Sequence, residues 1–262
     1  IGLGIPAEPL FRSSIGDDED EIYDLKDKIG EIQCIYDYEY SSKPTKILSE
    51  KYEKKSKFNI YIGDERIKYS KTYTFPDQGE RKVRFVLFGD MNMDNMFKDL
   101  PLLLSVEMIS EKNAKISSMK SAFENCENLN NFKMQGFNTA NIKSLSKLFY
   151  NTKIENFDMF DTSNVNDMSY MFANSDLKSI DLTLLSTKNV KDMSYMFYGC
   201  SSLDSLNFDN FDTSNVEDMS HMFESCSSLY RLDLAPLNTK KVKSMSHMFR
   251  DCILLENIEL GN

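Results

Sequence analysis

The sequence predicts an α/β solenoid of about seven stacked copies, each a strand and a short convex helix, preceded by a small antiparallel β domain. Three observations predict it. A phenylalanine marker recurs at Phe97, Phe123, Phe149, Phe172, Phe197, Phe223 and Phe249, at intervals of 26, 26, 23, 25, 26 and 26 residues, and a period of that length signals repeats stacked side by side. Inside each period an apolar stripe at i, i+3, i+4 and i+7, as in Met219, Met222, Phe223 and Cys226, matches one face of a helix. Ahead of the repeats, apolar residues alternate with period two, the mark of half-buried strands.

In chain order, residues 1–28 are an acidic tail or linker, with eight acids against three bases. Such blocks are usually solvated. The run "DDEDEIYD" from Asp17 does not fit a calcium loop, because the sixth position is Ile22 where that loop needs glycine. Residues 29–90 read as the β domain. "IQCIYDYEY" places Ile32, Cys34, Tyr36, Tyr38 and Tyr40 on one parity, and the runs around Gly63-Asp64-Glu65 predict a hairpin. "RKVRFVLF" is a further strand, and the charged "KILSEKYEKKSK" is a short helix or a loop.

Residues 91–262 form the repeat domain. In "LDSLNF" the spacing L-x-x-L-x-L matches the strand of leucine-rich repeats. The helix-sized "EDMSHMFESC" follows, with Asp218 placed to cap it and Glu217 favouring its N-terminal end. Neither element buries its apolar face alone, but stacking does, with strands about 4.8 Å apart in a parallel sheet. Methionine suits the stripe because it fills irregular gaps.

"FDTSNVEDMSHMFESCSSLYRLDL" and "FDTSNVNDMSYMF" resemble the BspA-type leucine-rich repeats of bacterial surface proteins and protist families. The resemblance covers about residues 91–262, and "GEIQCIYDYEY" is similar to leaders that precede such repeats in protist members. It implies adhesion or protein binding, often at a cell surface, and no catalytic residue. The copy at Phe149 is shortened, and the copy at Phe97 lacks the "FDTSNV" segment.

The net charge of −10 opposes nucleic-acid binding and favours a basic protein partner. No stretch of about 18 apolar residues crosses a membrane. The N-terminus lacks the pattern of a signal peptide, and a chain that opens on Ile1 reads as a fragment or processed form. On these grounds the compartment is open: a surface by resemblance, intracellular if no signal lies upstream. No asparagine lies in an N-x-Ser/Thr sequon.

His221 and His247 take the repeat position of Tyr170 and Tyr195, opposite the apolar stripe of the expected helix, so they are outer-surface residues rather than partners of Cys226 in a metal site. Cys126, Cys200, Cys226 and Cys252 share a column with Leu100, Thr152 and Ser175. A small buried slot explains that column better than disulfides or a metal, since no local C-x₂₋₄-C pair exists. No cofactor is implied, and no phosphate loop or H-E-x-x-H motif points to catalysis.

Candidate function therefore falls on the outward strand positions Glu107, Lys133, Asp158, Asp181, Asn207, Asp233 and Glu259, flanked by Asp204, Asp209, Tyr230 and Arg231. In a solenoid that column lines the concave face, where partners usually bind. A solvated face is the alternative reading. The expected function is a non-enzymatic protein-binding or adhesion module. The alternative is a building block that self-associates through the open C-terminal repeat.

Overall fold

The computed structural model describes residues 21–38, 43–158, 160–180, 182, 185–208 and 211–259. Asp17, Tyr40, Asp181 and Asp209 lie outside the described residues. Near the start, Leu25–Asp27 forms one 3-10 turn, with the Asp24 carboxylate accepting from the Lys26 amide at 3.0 Å.

The leader contributes β1 (Gly30–Tyr38), β2 (Thr45–Lys46), β3 (Phe58–Ile62), β4 (Glu65–Ile67), β5 (Thr72–Tyr73) and β6 (Gly79–Leu87). Period-two alternation sets the buried face of β1: Ile32, Cys34, Tyr36 and Tyr38 are all buried, and the Tyr36 hydroxyl donates to the Ile47 carbonyl at 2.7 Å. β3 and β4 form the hairpin, with Ile62 opposite Glu65 and Gly63 at φ 60°, a left-handed conformation that glycine adopts at little cost. The segment "KILSEKYEKKSK" is not helical; the Tyr52 amide donates to Ser49 in a turn.

The repeats add β7 (Met91–Asn92), β8 (Leu103–Ser110), β9 (Ile116–Ser118), β10 (Asn131–Gln135), β11 (Asn156–Phe157), β12 (Arg231–Asp233) and β13 (Asn257–Glu259). β8 runs antiparallel to β1, and β10 and β11 follow in parallel. Leader and repeats thus share one seven-stranded mixed sheet, ordered β11-β10-β8-β1-β6-β3-β4. Three two-stranded pairs, β2–β5, β7–β9 and β12–β13, complete the strands.

The expected α/β solenoid with helices is corrected by this structure, which among the described residues has no helix beyond that 3-10 turn. The segment from Asp218 to Cys226 is a string of turns. His221 and Ser225 have φ of 58° and 63°, outside the helical region. Alternate amides point to the neighbouring copy: Met219, His221, Phe223 and Ser225 donate to the carbonyls of Ser244, Ser246, Met248 and Arg250 at 2.8–3.0 Å. The amides between them close tight turns, as Met222 donates to Met219 and Cys226 to Phe223. A helix of nine residues leaves its first four amides and last four carbonyls without intrahelical partners. A neighbouring copy 23–26 residues away satisfies them instead. Asp218 caps a turn rather than a helix, accepting from the Ser220 amide at 2.8 Å. The stripe itself is buried: Met219, Met222, Phe223 and Cys226 are at most 1% exposed.

A continuous parallel sheet through all the copies is also corrected. Between β11 and β12 the chain forms no strand among the described residues, although Leu182, Leu203 and Phe208 stay buried there. Single bonds persist across the gap, from the Asp204 amide to Lys178 and from the Tyr230 amide to Asp204. The irregular intervals of 23 and 25 residues, from Phe149 to Phe172 and from Phe172 to Phe197, fall across its first part, where changed copy length disturbs strand register. The wall of turns stays in step throughout, marked by parallel bridges from Ser144 through Asp167, Asp192 and Asp218 to Ser244. Behind it the marker phenylalanines stack ring on ring, with centroids 5.6–6.0 Å apart and planes within 17°. They belong to one apolar core that extends into the leader.

Candidate functional site

The outward side chains of the sheet come together by strand register. Tyr61 pairs with Arg84, Arg84 with Gln33, Gln33 with Glu107, and Glu107 with Lys133. Asp158 continues the line one residue beyond the Phe132–Phe157 pair. Paired residues on adjacent strands project to the same face, so these six side chains form one polar row across the sheet. Glu107, Lys133 and Asp158 are exposed, and Tyr61, Arg84 and Gln33 are partly buried. The Arg84 guanidinium sits 5.3 Å from the Tyr61 ring centroid. The Asp158 carboxylate accepts from the Met134 amide at 3.2 Å, which ties it to the neighbouring strand.

Sequence reasoning found Glu107, Lys133 and Asp158 and missed Tyr61, Arg84 and Gln33. The missing signal was strand pairing: nothing in the repeat period shows that the leader's β1 lies against β8. The row alternates in charge sign, so an unbroken acidic stripe is not formed there. Among the other expected residues, Asp204 and Asn207 are exposed within the break in the sheet, and Tyr230, Arg231 and Asp233 are exposed at its far end. There Asp233 pairs in register with Glu259, and the Tyr230 hydroxyl donates to the Glu256 carboxylate at 3.1 Å.

Glu31 lies beside the row and is nearly buried. It accepts from Lys28 at 2.9 Å and Gln33 at 2.6 Å, with Arg84 at 3.8 Å. Burial pushes its carboxyl up, but the Lys28 hydrogen bond and charge, with help from Gln33 and Arg84, outweigh this and leave it below the ordinary range.

On the turn wall, side chains of one repeat column stack along the copies. Tyr170, Tyr195, His221 and His247 lie ring on ring with centroids 4.3–4.8 Å apart. Lys147 continues the column with its ammonium 5.3 Å from the Tyr170 ring. Beside the stack a groove of about 330 Å³ is lined by Tyr150, Tyr170, Tyr195, Tyr198, His221 and Glu224. Burial and the neighbouring Tyr195 raise the Tyr170 phenol to about 12. The ring faces are occupied by one another, so the groove offers edges and hydroxyls. His221 Nδ1 contacts the Glu224 carboxylate. No group of three or more metal-ligating side chains gathers among the described residues.

From the second copy on, the cysteine column is a slot for a small donor, whereas the first copy buries Leu100 there. The thiols of Cys126, Cys200, Cys226 and Cys252 donate to the carbonyls of Phe97, Phe172, Phe197 and Phe223 at 2.9–3.1 Å. Ser175 occupies the same slot and donates to Phe149 at 2.6 Å. Burial raises the Cys200 thiol to about 12 and those of Cys126 and Cys226 further.

Comparison with known proteins gives one family. The description "Mycoplasma protein of unknown function, DUF285" matches residues 90–182 and again 177–260. No curated protein and no solved structure matches the chain. The match replaces the resemblance to BspA-type leucine-rich repeats, whose strand-and-helix unit is here a strand and a wall of turns. With about two thirds of its length covered by the two matches, the chain belongs to the DUF285 family of Mycoplasma proteins of unknown function.

Proposed function

We propose that the chain is a non-enzymatic protein-binding module that uses the outward face of its mixed sheet. The observation that carries this reading is the in-register row Tyr61–Arg84–Gln33–Glu107–Lys133–Asp158, which sets both charge signs on one open face. Fixed charges of alternating sign favour a partner with the complementary pattern and reject others, and they act through association rate and salt dependence. The exposed acids Asp204, within the strand break, and Asp233, on β12, add attraction for a basic region of the same partner.

The test is affinity capture from cells with the wild-type chain and with a Glu107→Lys/Asp158→Lys/Asp233→Lys variant. A partner bound through this face should be retained by the wild type, weaken as salt rises, and be lost from the variant. A partner held equally by both chains removes the sheet face from the interaction. The altered side chains are exposed, and the variant gives up the bonds of Asp158 to the Met134 amide and of Asp233 to the Ala235 amide, so it should stay folded with an unfolding free energy lower by about 1–3 kcal/mol.

A further inference from the structure

The turn wall carries a groove that the sheet-face reading leaves unused. It lies beside the ring stack of Tyr170, Tyr195 and His221 and measures about 330 Å³. Small-molecule sites usually span roughly 300–1,000 Å³. Two repeat columns build it. The position after each marker phenylalanine is charged at Lys98, Glu124, Glu224 and Arg250, but reads Tyr150, Ala173 and Tyr198 in the three middle copies. Each of these three closes the same turn, its amide donating to the carbonyl three residues before it at 3.0–3.3 Å. The backbone is therefore alike and only the side chain changes. Ala173 adds no ring and is fully buried. Tyr150 and Tyr198 stand one copy to either side of it, their rings inclined by 55° and 58° to those of Tyr170 and Tyr195.

The second column sits two residues before each marker. Every member has positive φ, and the first copy holds Asn95, a residue type that tolerates that region. Tyr170, Tyr195 and His221 adopt it at φ of 57–58°, a conformation that is costly for such bulky side chains. Over three consecutive copies the wall carries that cost and presents a continuous run of ring edges and hydroxyls. Further contacts fix the parts. The Asn174 side-chain amide donates to the Tyr150 hydroxyl at 2.9 Å, and the Lys147 ammonium lies 4.0 Å from the Glu124 carboxylate. The groove is thus formed before any ligand arrives.

The lining selects the chemistry of the occupant. An aromatic ring is electropositive at its edge, and edges are what the stack presents. The Lys147 ammonium, 5.3 Å from the Tyr170 ring, adds to that field, so a cation is disfavoured. At the other end of the groove the buried Glu224 carboxylate disfavours an anion. A wholly apolar ligand would leave the phenol hydroxyls without partners. A neutral ring with apolar faces and a rim of hydroxyls meets all three conditions. We propose that this groove binds a hexopyranose unit of a glycan. Its C–H faces pack on the rings of Tyr150 and Tyr198, and its hydroxyls bond to the tyrosine hydroxyls and the Glu224 carboxylate. The site belongs to the turn wall and stands apart from the sheet-face reading.

The test is saturation-transfer NMR on the full chain with the methyl glycosides of glucose, galactose, mannose and N-acetylglucosamine, in both anomers, at millimolar concentration. At least one should bind saturably, with transfer strongest to its ring C–H protons. Its affinity should fall about ten-fold in Tyr198→Ala and in Tyr150→Ala. Both tyrosines are partly buried and lie outside the ring stacks, so these chains should fold. Tyr198→Phe, which keeps the ring and loses one hydroxyl, should weaken binding less. Raising salt to about 0.5 M should leave binding unchanged, because the ligand is uncharged. The Glu107→Lys/Asp158→Lys/Asp233→Lys chain should bind the glycoside as the wild type does, which separates this site from the sheet face. Absence of saturable transfer from every glycoside, or binding unchanged in all three groove variants, overturns the proposal. So does binding of 4-methylphenol with none of the glycosides, because an aromatic side chain is then the occupant.

Discussion

Cys226 and Glu31 show how single side chains are chosen by what they must satisfy. The slot around Cys226 accepts a small group able to donate to the carbonyl of Phe197. Cys226→Ser keeps the donor, as Ser175 does naturally, and should cost less than about 1 kcal/mol in urea unfolding. Cys226→Leu overfills the slot and should cost about 1–3 kcal/mol. Burial keeps the thiols of Cys126, Cys200 and Cys226 protonated, so Ellman's reagent at pH 8 should reach them only after unfolding. Glu31 acts through its charge. Its folded pKa lies below the ordinary value, so the stabilisation it gives is present above that value and lost as pH falls through the folded one. Glu31→Gln should therefore lower the urea midpoint at pH 7, and the gap from wild type should close as pH falls below about 4. A gap that persists unchanged at pH 3 would mean that Glu31 acts by packing alone.

At the scale of the element, burial was legible and backbone conformation was not. The i, i+3, i+4, i+7 stripe correctly marks Met219, Met222, Phe223 and Cys226 as core. The same spacing serves a short helix and a string of tight turns, so periodicity could not choose between them. The choice comes from partners outside the segment, the carbonyls of Ser244, Ser246, Met248 and Arg250. One local signal was present: Gly199 occupies the column of Asn125, Asn151, Asn174 and Ser225, and every member has positive φ. Glycine and asparagine tolerate that region better than other residues. Ser225→Gly should accordingly stabilise the chain by roughly 0.5 kcal/mol, measured by urea midpoint. In a helix the same substitution would destabilise by about 0.5–1 kcal/mol, so a loss of that size would contradict the turn wall.

Across the whole molecule, the stacking of the marker rings from copy to copy was readable from the phenylalanine period, whereas the joining of leader and repeats was not. Register between β1 and β8 links residues such as Gln33 and Glu107, and no period within either segment encodes a pairing across that distance. The consequence is energetic as well as geometric. β8 has β1 on one side and β10 on the other, and the buried rings of Phe85 and Phe97 meet across the boundary at 5.6 Å. Without residues 21–90 the repeats would expose the β8 edge, the Met96 carbonyl now paired with Ser49, and the apolar surface beneath β1. An open edge beside apolar surface is a template for aggregation. The full chain should thus unfold in one cooperative transition, with fluorescence and circular dichroism coinciding, because its core is continuous. A chain beginning at residue 91 should be insoluble, or should melt well below the full chain and self-associate with rising concentration. If that shorter chain instead stays monomeric and unfolds at the full-length midpoint, the leader is an attachment to a self-sufficient stack. The shared sheet would then contribute position to the binding face and little to stability.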